Sequence, residues 1–260
     1  GYQPLKTPGL EKLAAAGMTF GRTYCQYPVC GPSRASFLSG LYPESTGILN
    51  NKSDIRNVRP NTKSMPQVFK TNGYWTASVG KVFHNTKADP GDVAWHDVIR
   101  FKNEENPVER KLRKAYEAEH GPIRGEDDRS WRRHLKENRS ALAGQTPPGY
   151  GPTQMRDEQH KDGKNVRQVA KWLDDKTHAN KPFFIACGIQ KPHVPFWAPQ
   201  KYFDQYPLSA IEYRPTPKGD WKNRPPLAIS KRYEAFGFEL EKENDELRRK
   251  YMQAYHACIT

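Results

Sequence analysis

Apolar positions along the chain fall into short blocks, and each block keeps the period of one kind of element. TPGLEKLAAAG (7–17) sets Leu10, Leu13 and Ala14 on one face, with Thr7 to cap, Pro8 in the first turn and Gly17 to stop. That pattern predicts a helix, and a short strand is expected over 18–23. Gly31-Pro32 opens a second helix that Gly40 closes. SMPQVFKTNG (64–73) reads as a third helix between Ser64 and Gly73, running into the strand YWTASVG (74–80). NVRQVAKWLDD (165–175) carries Val166, Val169, Ala170 and Leu173 at helical spacing, and KPFFIACGI (181–189) reads as a buried strand. A long helix is expected over 239–260. Residues 100–155 are charged and rich in Pro and Gly, so they read as an insertion or long excursion with a helical piece near 107–119. Residues 190–230 read as Pro-rich loop.

Alternating helices and strands imply a mostly parallel sheet with helices on both faces. Ligands of such sheets bind outside the carboxyl ends of the strands. Two predicted strands end there in polar clusters. VGKVFH places Lys81 and His84 just past one strand, and QKPHVPF places Lys191 and His193 just past the other.

Composition narrows the picture only a little. The 260 residues suffice for one large α/β domain or two small ones. No run approaches the roughly 18 apolar residues of a membrane span. The net charge of +13 suits a polyanion, or simply a solvated basic face, and no nucleic-acid motif accompanies it. Cys25, Cys30, Cys187 and Cys258 are too scattered for a disulfide scaffold, and no Cys/His pairing suggests zinc. Cys187, in its apolar run, reads as a plain buried residue.

Cys30 differs from the other three. It stands at a helix N-terminus, where unpaired N–H groups and the helix dipole favour an anion. Arg34 follows one turn later, and its fork is expected to point back toward position 30. A cysteine so placed can be a reactive thiolate.

Cys30-Gly31-Pro32-Ser33-Arg34 also resembles the sulfatase signature C-x-P-S-R, a match expected by chance on the order of once per thousand chains of this size. SRASFLSGLYP resembles the continuation of that signature, and NGYWTASVGKVFH and PFFIACGIQKPHVPFWAP resemble two further blocks of the family. GKVFH with KPHVPF is most similar to the iduronate-2-sulfatase branch. The resemblance implies an α/β, alkaline-phosphatase-like sulfatase fold, incomplete in this chain. Residues 1–260 would form a partial catalytic domain without the first metal-binding strand and the C-terminal part.

The resemblance further implies that a formylglycine-generating enzyme, reading Cys30, Pro32 and Arg34, oxidises Cys30 to an aldehyde. The hydrated aldehyde attacks sulfur, the alcohol leaves, and reforming the carbonyl expels sulfate. Arg34 would bind the diol or its oxyanion, and Lys81 the sulfate oxygens. His84 would hold the diol, and His193 would protonate the leaving alkoxide. Lys191 is a candidate substrate contact. The other histidines, His96, His120, His134, His160, His178 and His256, read as structural.

The family binds calcium beside the formylglycine, so residue 30 would be a ligand, yet the carboxylates that complete the cage have no counterpart here. Asp127-Asp128 and Asp174-Asp175 do not follow apolar strands, and Asp54, Asp157 and Asp162 lack the context. An internal fragment, inactive alone, is therefore the expectation. The expected substrate is a sulfated carbohydrate, and the family implies a periplasmic or secreted location. Two alternatives stay open. One is a phosphonate monoester or phosphodiester hydrolase of the same superfamily. The other is a non-catalytic basic protein that binds polyanions.

Overall fold

In a computed structural model the described residues are 5–85, 88–102, 107–123, 129–138, 149–212, 225 and 245–260. In chain order the elements are α1 (Pro8–Ala16), α2 (Cys30–Ser39), α3 (Pro43–Thr46), α4 (Ile55–Val58), α5 (Met65–Thr71), β1 (Trp75–Gly80), β2 (Asp97–Ile99), α6 (Pro107–His120), α7 (Arg129–Glu137), β3 (Tyr150–Thr153), α8 (Lys161–Asp174), β4 (Phe183–Gly188), β5 (Phe196–Pro199), α9 (Gln200–Phe203) and α10 (Asp245–Ile259). They divide into two compact units. One comprises Gly1–Leu13, Glu104–Arg156 and Lys191–Thr260; the other comprises Ala14–Asn103 and Asp157–Gln190.

The unit with Ala14–Asn103 is built on a parallel sheet of order β2-β1-β4. Trp75 pairs with Phe183 and Gly80 with Gly188, so β1 and β4 run in step to their carboxyl ends. The strand period of two decides which side chains go where. Trp75, Ala77 and Val79 point to one face and pack with Ile185 against Trp172 and Val169 of α8. Val98, Phe184 and Ala186 point to the other and pack against Leu38 of α2, Val82, Phe83 and Trp95. Both faces are thus covered by helices, as the alternation of elements requires.

A polar knot fixes the loop that leads into β2. Buried Asp89 accepts from Gly91 N (3.0 Å) and Trp95 Nε1 (2.9 Å), and pairs with Arg100. Each acceptor lone pair used in this way spares a buried carboxylate the cost of going unpaired.

The other unit holds a two-stranded parallel sheet, β3 with β5. Tyr150, Ala198 and Phe203 pack there against Tyr251, Ala254 and Ala257, three positions on one face of α10. Residues 100–155 contain the expected helical piece as α6 and add α7 and β3, and residues 190–230 contain β5 and α9 rather than loop alone. Proline hid β5, since Pro195 and Pro199 bracket the short apolar stretch that pairs.

Four expectations fail, three for lack of a neighbour and one because a larger side chain takes the buried face. Residues 18–23 form no strand: Met18 and Phe20 are exposed, and no described strand lies alongside to complete a ladder. β4 is half-exposed instead of buried, because it is the edge of its sheet among the described residues. Cys187 consequently reaches solvent, although partial burial still pushes its thiol up, with Asp162 adding to the shift. The inward face of α8 also differs from the expected one. Val166 is 53% exposed and Leu173 and Ala170 face out, while Asn165 and Trp172 are buried. Trp172 bonds Asp97 through Nε1 at 2.9 Å, and that large amphipathic ring sets the rotation of the helix. The expected helix over 239–260 is observed from Asp245, and 239–244 lie outside the described residues.

Candidate active site

The site grows from two glycines at the ends of paired strands. Gly80 closes β1 at φ +78°, a conformation that disfavours side chains. A Cβ there would stand 2.3 Å from Gly188 O and 2.4 Å from Asn165 Nδ2. A Cβ on Gly188 would stand 2.2 Å from the backbone of Lys81. Lys81 N donates to Gly188 O at 3.0 Å, and Asn165 Nδ2 donates to the same carbonyl at 3.2 Å. The chain can leave β1 across the end of β4 only because both crossing points lack side chains. Lys81 is thereby delivered to the carboxyl edge of the sheet.

Cys30 reaches the same corner from α2. Val29 caps the helix in an extended conformation without a side-chain bond, so the first turn keeps donors for other partners. Gly40 ends the helix at φ +74° and its N–H bonds Ser36 O at 2.8 Å. Arg34 also reaches beyond its own helix. Its Nη1 donates to Lys81 O and Val82 O, each at 2.6 Å, tying α2 to the loop after β1. It remains near enough to Cys30 for mutual attraction.

The electrostatics of this corner follow from burial. Burial pulls the Arg34 guanidinium below its usual range, and Cys30 opposes that shift. Burial likewise lowers Lys81. Cys30 raises it, and Arg34 and Lys161 lower it again. Three cations held close together, two of them partly desolvated, form a pocket of positive potential suited to an anion. A cleft of about 330 Å³ has Arg34 and Lys81 in its lining, with Phe37, Met65, Phe184 and Ile189 as apolar walls.

His84 lies three residues past Lys81 in the same unit, half-buried, with Nδ1 shielded from solvent. Lys191 and His193 belong to the other unit. Lys191 Nζ donates to Pro195 O at 2.8 Å, and exposed His193 donates from Nδ1 to Val194 O at 2.7 Å. That bond keeps the proton on Nδ1 and leaves Nε2 to exchange one. Pro32 is buried in the first turn of α2.

Sequence reasoning missed three residues beside these. Lys161 opens α8 and donates to Gln190 Oε1 at 3.1 Å. Asp162 accepts the Gln190 N–H through both carboxylate oxygens, at 2.9 and 3.0 Å. Asn51 Oδ1 accepts from Gly31 N at 2.8 Å and from Cys30 Sγ at 3.6 Å. Their motifs carry no signal, because each is joined to its partner only by the fold.

Calcium takes six to eight oxygen ligands. Among the described residues no three His, Cys, Asp or Glu side chains gather to hold a metal ion. Asp54 caps α4 through Asn57 N at 3.1 Å, Asp162 serves Gln190, and Asp174 and Asp175 are exposed at the end of α8. Asp157 sits in a short 3₁₀ turn, and Asp127-Asp128 lie outside the described residues. Among the described residues the donors do not fit a calcium cage.

The sulfatase family model matches residues 1–257. A sulfatase of Formosa agariphila is 28% identical over 274 residues, spanning all of this chain and 48% of that protein. The human iduronate 2-sulfatase is 31% identical over 222 residues, spanning 84% of this chain and 36% of that protein. The chain thus spans about half or less of these relatives. Among solved structures, the phosphonate monoester hydrolase SpPMH from Silicibacter pomeroyi shares the fold at a TM-score of 0.63 and 20% identity, over 98% of this chain and 52% of its own. No helix among the described residues is long and apolar enough to cross a membrane. The chain belongs to the sulfatase family.

Proposed function

We propose that the full-length protein hydrolyses sulfate esters of a sulfated carbohydrate, with Cys30 as the precursor of its nucleophile. The observation that carries this reading is the corner where Cys30, Arg34 and Lys81 meet, cationic and partly desolvated at the carboxyl end of a parallel sheet. Oxidised to formylglycine by a formylglycine-generating enzyme and hydrated, residue 30 supplies an oxygen nucleophile that elimination later regenerates.

This chain's own residues do the rest. Lys81 holds the sulfate oxygens, and its partial burial strengthens that contact over one in water. Arg34 braces the Lys81 loop through two carbonyls and adds positive charge where negative charge develops. His84 hydrogen-bonds the nucleophile. His193 gives the departing alcohol its proton from Nε2, while Nδ1 stays bonded to Val194 O. Lys191 binds the substrate. Calcium belongs to the family's chemistry, but among the described residues the donors do not assemble for it. A periplasmic or secreted location fits a sulfated glycan substrate, and an iduronate-type 2-sulfate is consistent with the human relative.

The test is a substrate panel on full-length protein matured with the formylglycine-generating enzyme. Release of sulfate from sulfated sugars, abolished by Cys30→Ala, is the expected result. Preferential cleavage of phosphonate monoesters or phosphodiesters would move the assignment to the sister chemistry. Tight polyanion binding without turnover would replace catalysis by binding.

A further inference from the structure

The residue between cysteine and proline in the signature is glycine here, and the structure gives it a purpose. Gly31 lies in the first turn of α2, where its N–H has no partner within the helix. Asn51 supplies the partner from 20 residues away, accepting at Oδ1 over 2.8 Å. The same oxygen lies 3.6 Å from Cys30 Sγ and accepts its thiol proton. A Cβ on residue 31 would stand 2.7 Å from that oxygen and 3.3 Å from Asn51 Cα, so only glycine admits the carboxamide in this position.

The loop that presents Asn51 is itself fixed. Asn50 Oδ1 accepts from Lys52 N at 2.8 Å and Ser53 N at 3.2 Å, forming a turn around the neighbouring position. Asn51 is thus held on both sides: by its loop, and by the N–H of the helix that carries the nucleophile.

We infer that Asn51 is a positioning residue for the nucleophile, orienting the side chain of residue 30 through one acceptor oxygen while Gly31 N–H holds that oxygen in place. This rests on the sulfatase reading above. Hydration adds one water across the carbonyl of formylglycine, with no change of oxidation state, and leaves two hydroxyls on the carbon that bore sulfur. One of them donates to Asn51 Oδ1 where the thiol does now. The other is left toward Lys81 and the incoming sulfate. Asparagine suits the task better than aspartate. It accepts without a net charge, and a carboxylate here would repel the anionic ester that Arg34, Lys81 and Lys161 attract.

The experiment uses full-length matured protein and two readouts. The first is the rate constant for trapping the aldehyde at position 30 with an aminooxy reagent, which does not depend on the fraction matured. The second is kcat and KM on a sulfate ester. Asn51→Ala releases the hydrate, so trapping accelerates about fivefold, the factor set by one ordinary hydrogen bond. It also lowers kcat about tenfold or more with KM within about twofold, as expected for lost orientation. Asn51→Asp keeps the acceptor, so trapping stays at the wild-type rate while KM rises. Gly31→Ala, which expels the carboxamide, reproduces the Asn51→Ala trapping rate.

A folded Asn51→Ala protein with wild-type trapping and wild-type kcat overturns the inference alone. So does one that loses thermal stability with trapping unchanged. An active wild-type sulfatase in which Gly31→Ala traps like wild type also overturns it. Absence of any aldehyde at position 30 in the wild type overturns the formylglycine reading, and this inference with it.

Discussion

Gly188→Ala tests whether the crossing of two strand ends is what delivers Lys81. The new Cβ would sit 2.2 Å from both Lys81 N and Lys81 C, where ordinary contact begins at 3.4 Å. Both atoms are backbone, so the strands must part by about 1 Å instead of a side chain rotating away. Parting them weakens the 3.0 Å bond from Lys81 N to Gly188 O, worth about 1 kcal/mol. Overpacking adds about 1–3 kcal/mol. At about 2–4 °C per kcal/mol for a domain of this size, Tm falls by roughly 4–16 °C. Displacing Lys81 by that distance costs on the order of 100-fold in kcat/KM. Gly40→Ala is the control: its φ is also positive, yet nothing lies within 4 Å of the added Cβ, so it costs about 1 kcal/mol of strain and spares activity. Circular dichroism melts and sulfate-ester kinetics on the full-length protein read both quantities. A Gly188→Ala protein that melts and turns over like wild type would refute the crossing as drawn.

Removing the Lys81 ammonium by Lys81→Ala lowers kcat/KM about 100-fold, the scale of one charge-assisted contact to an anion, while Lys81→Arg restores part of it; equal kinetics in all three proteins would exclude Lys81 from the site. His96 carries a pH dependence of known sign. Thr76 N donates to His96 Nδ1 at 3.0 Å, which requires the ring unprotonated there, and burial first, then Lys70 and Lys181, lowers its pKa from 6.5. The folded value is depressed, so this stability is present above pH 6.5 and is lost as pH falls from there through the folded value. Denaturant midpoints measured from pH 7.5 down to pH 5 should decline, and His96→Gln should flatten that decline; an unchanged slope would contradict it.

The legible part of the molecule is local. Pro32 and Gly40 bracket α2, and the aromatic and β-branched run before Gly80 marks β1, because first-turn proline, terminal glycine and strand composition act within one element. Of the two lysine–histidine clusters expected at strand ends, the structure brings Lys81 of the first to Cys30 and Arg34, while Lys191 and His193 belong to the other unit. What could not be read depends on partners. Val166 and Leu173 have the spacing of a buried face, yet Trp172 wins it, since its ring both fills the groove against Trp75 and finds Asp97 for its N–H. Helical spacing places Arg34 near Cys30, but it gives no hint of the two carbonyls of the β1 loop that Nη1 also bonds. Asn51 lies in LNNKSD, a stretch that announces only a turn; its link to Gly31 exists because the loop returns to the helix N-terminus.

The most direct measurement is mass spectrometry of the peptide spanning Cys30 from full-length protein coexpressed with a formylglycine-generating enzyme. The side chain at position 30 is expected as an aldehyde that reacts with an aminooxy probe, and Arg34→Ala, which breaks the recognition sequence, is expected to leave the thiol. A thiol that persists intact in the wild-type peptide under these conditions would contradict a nucleophile made from Cys30.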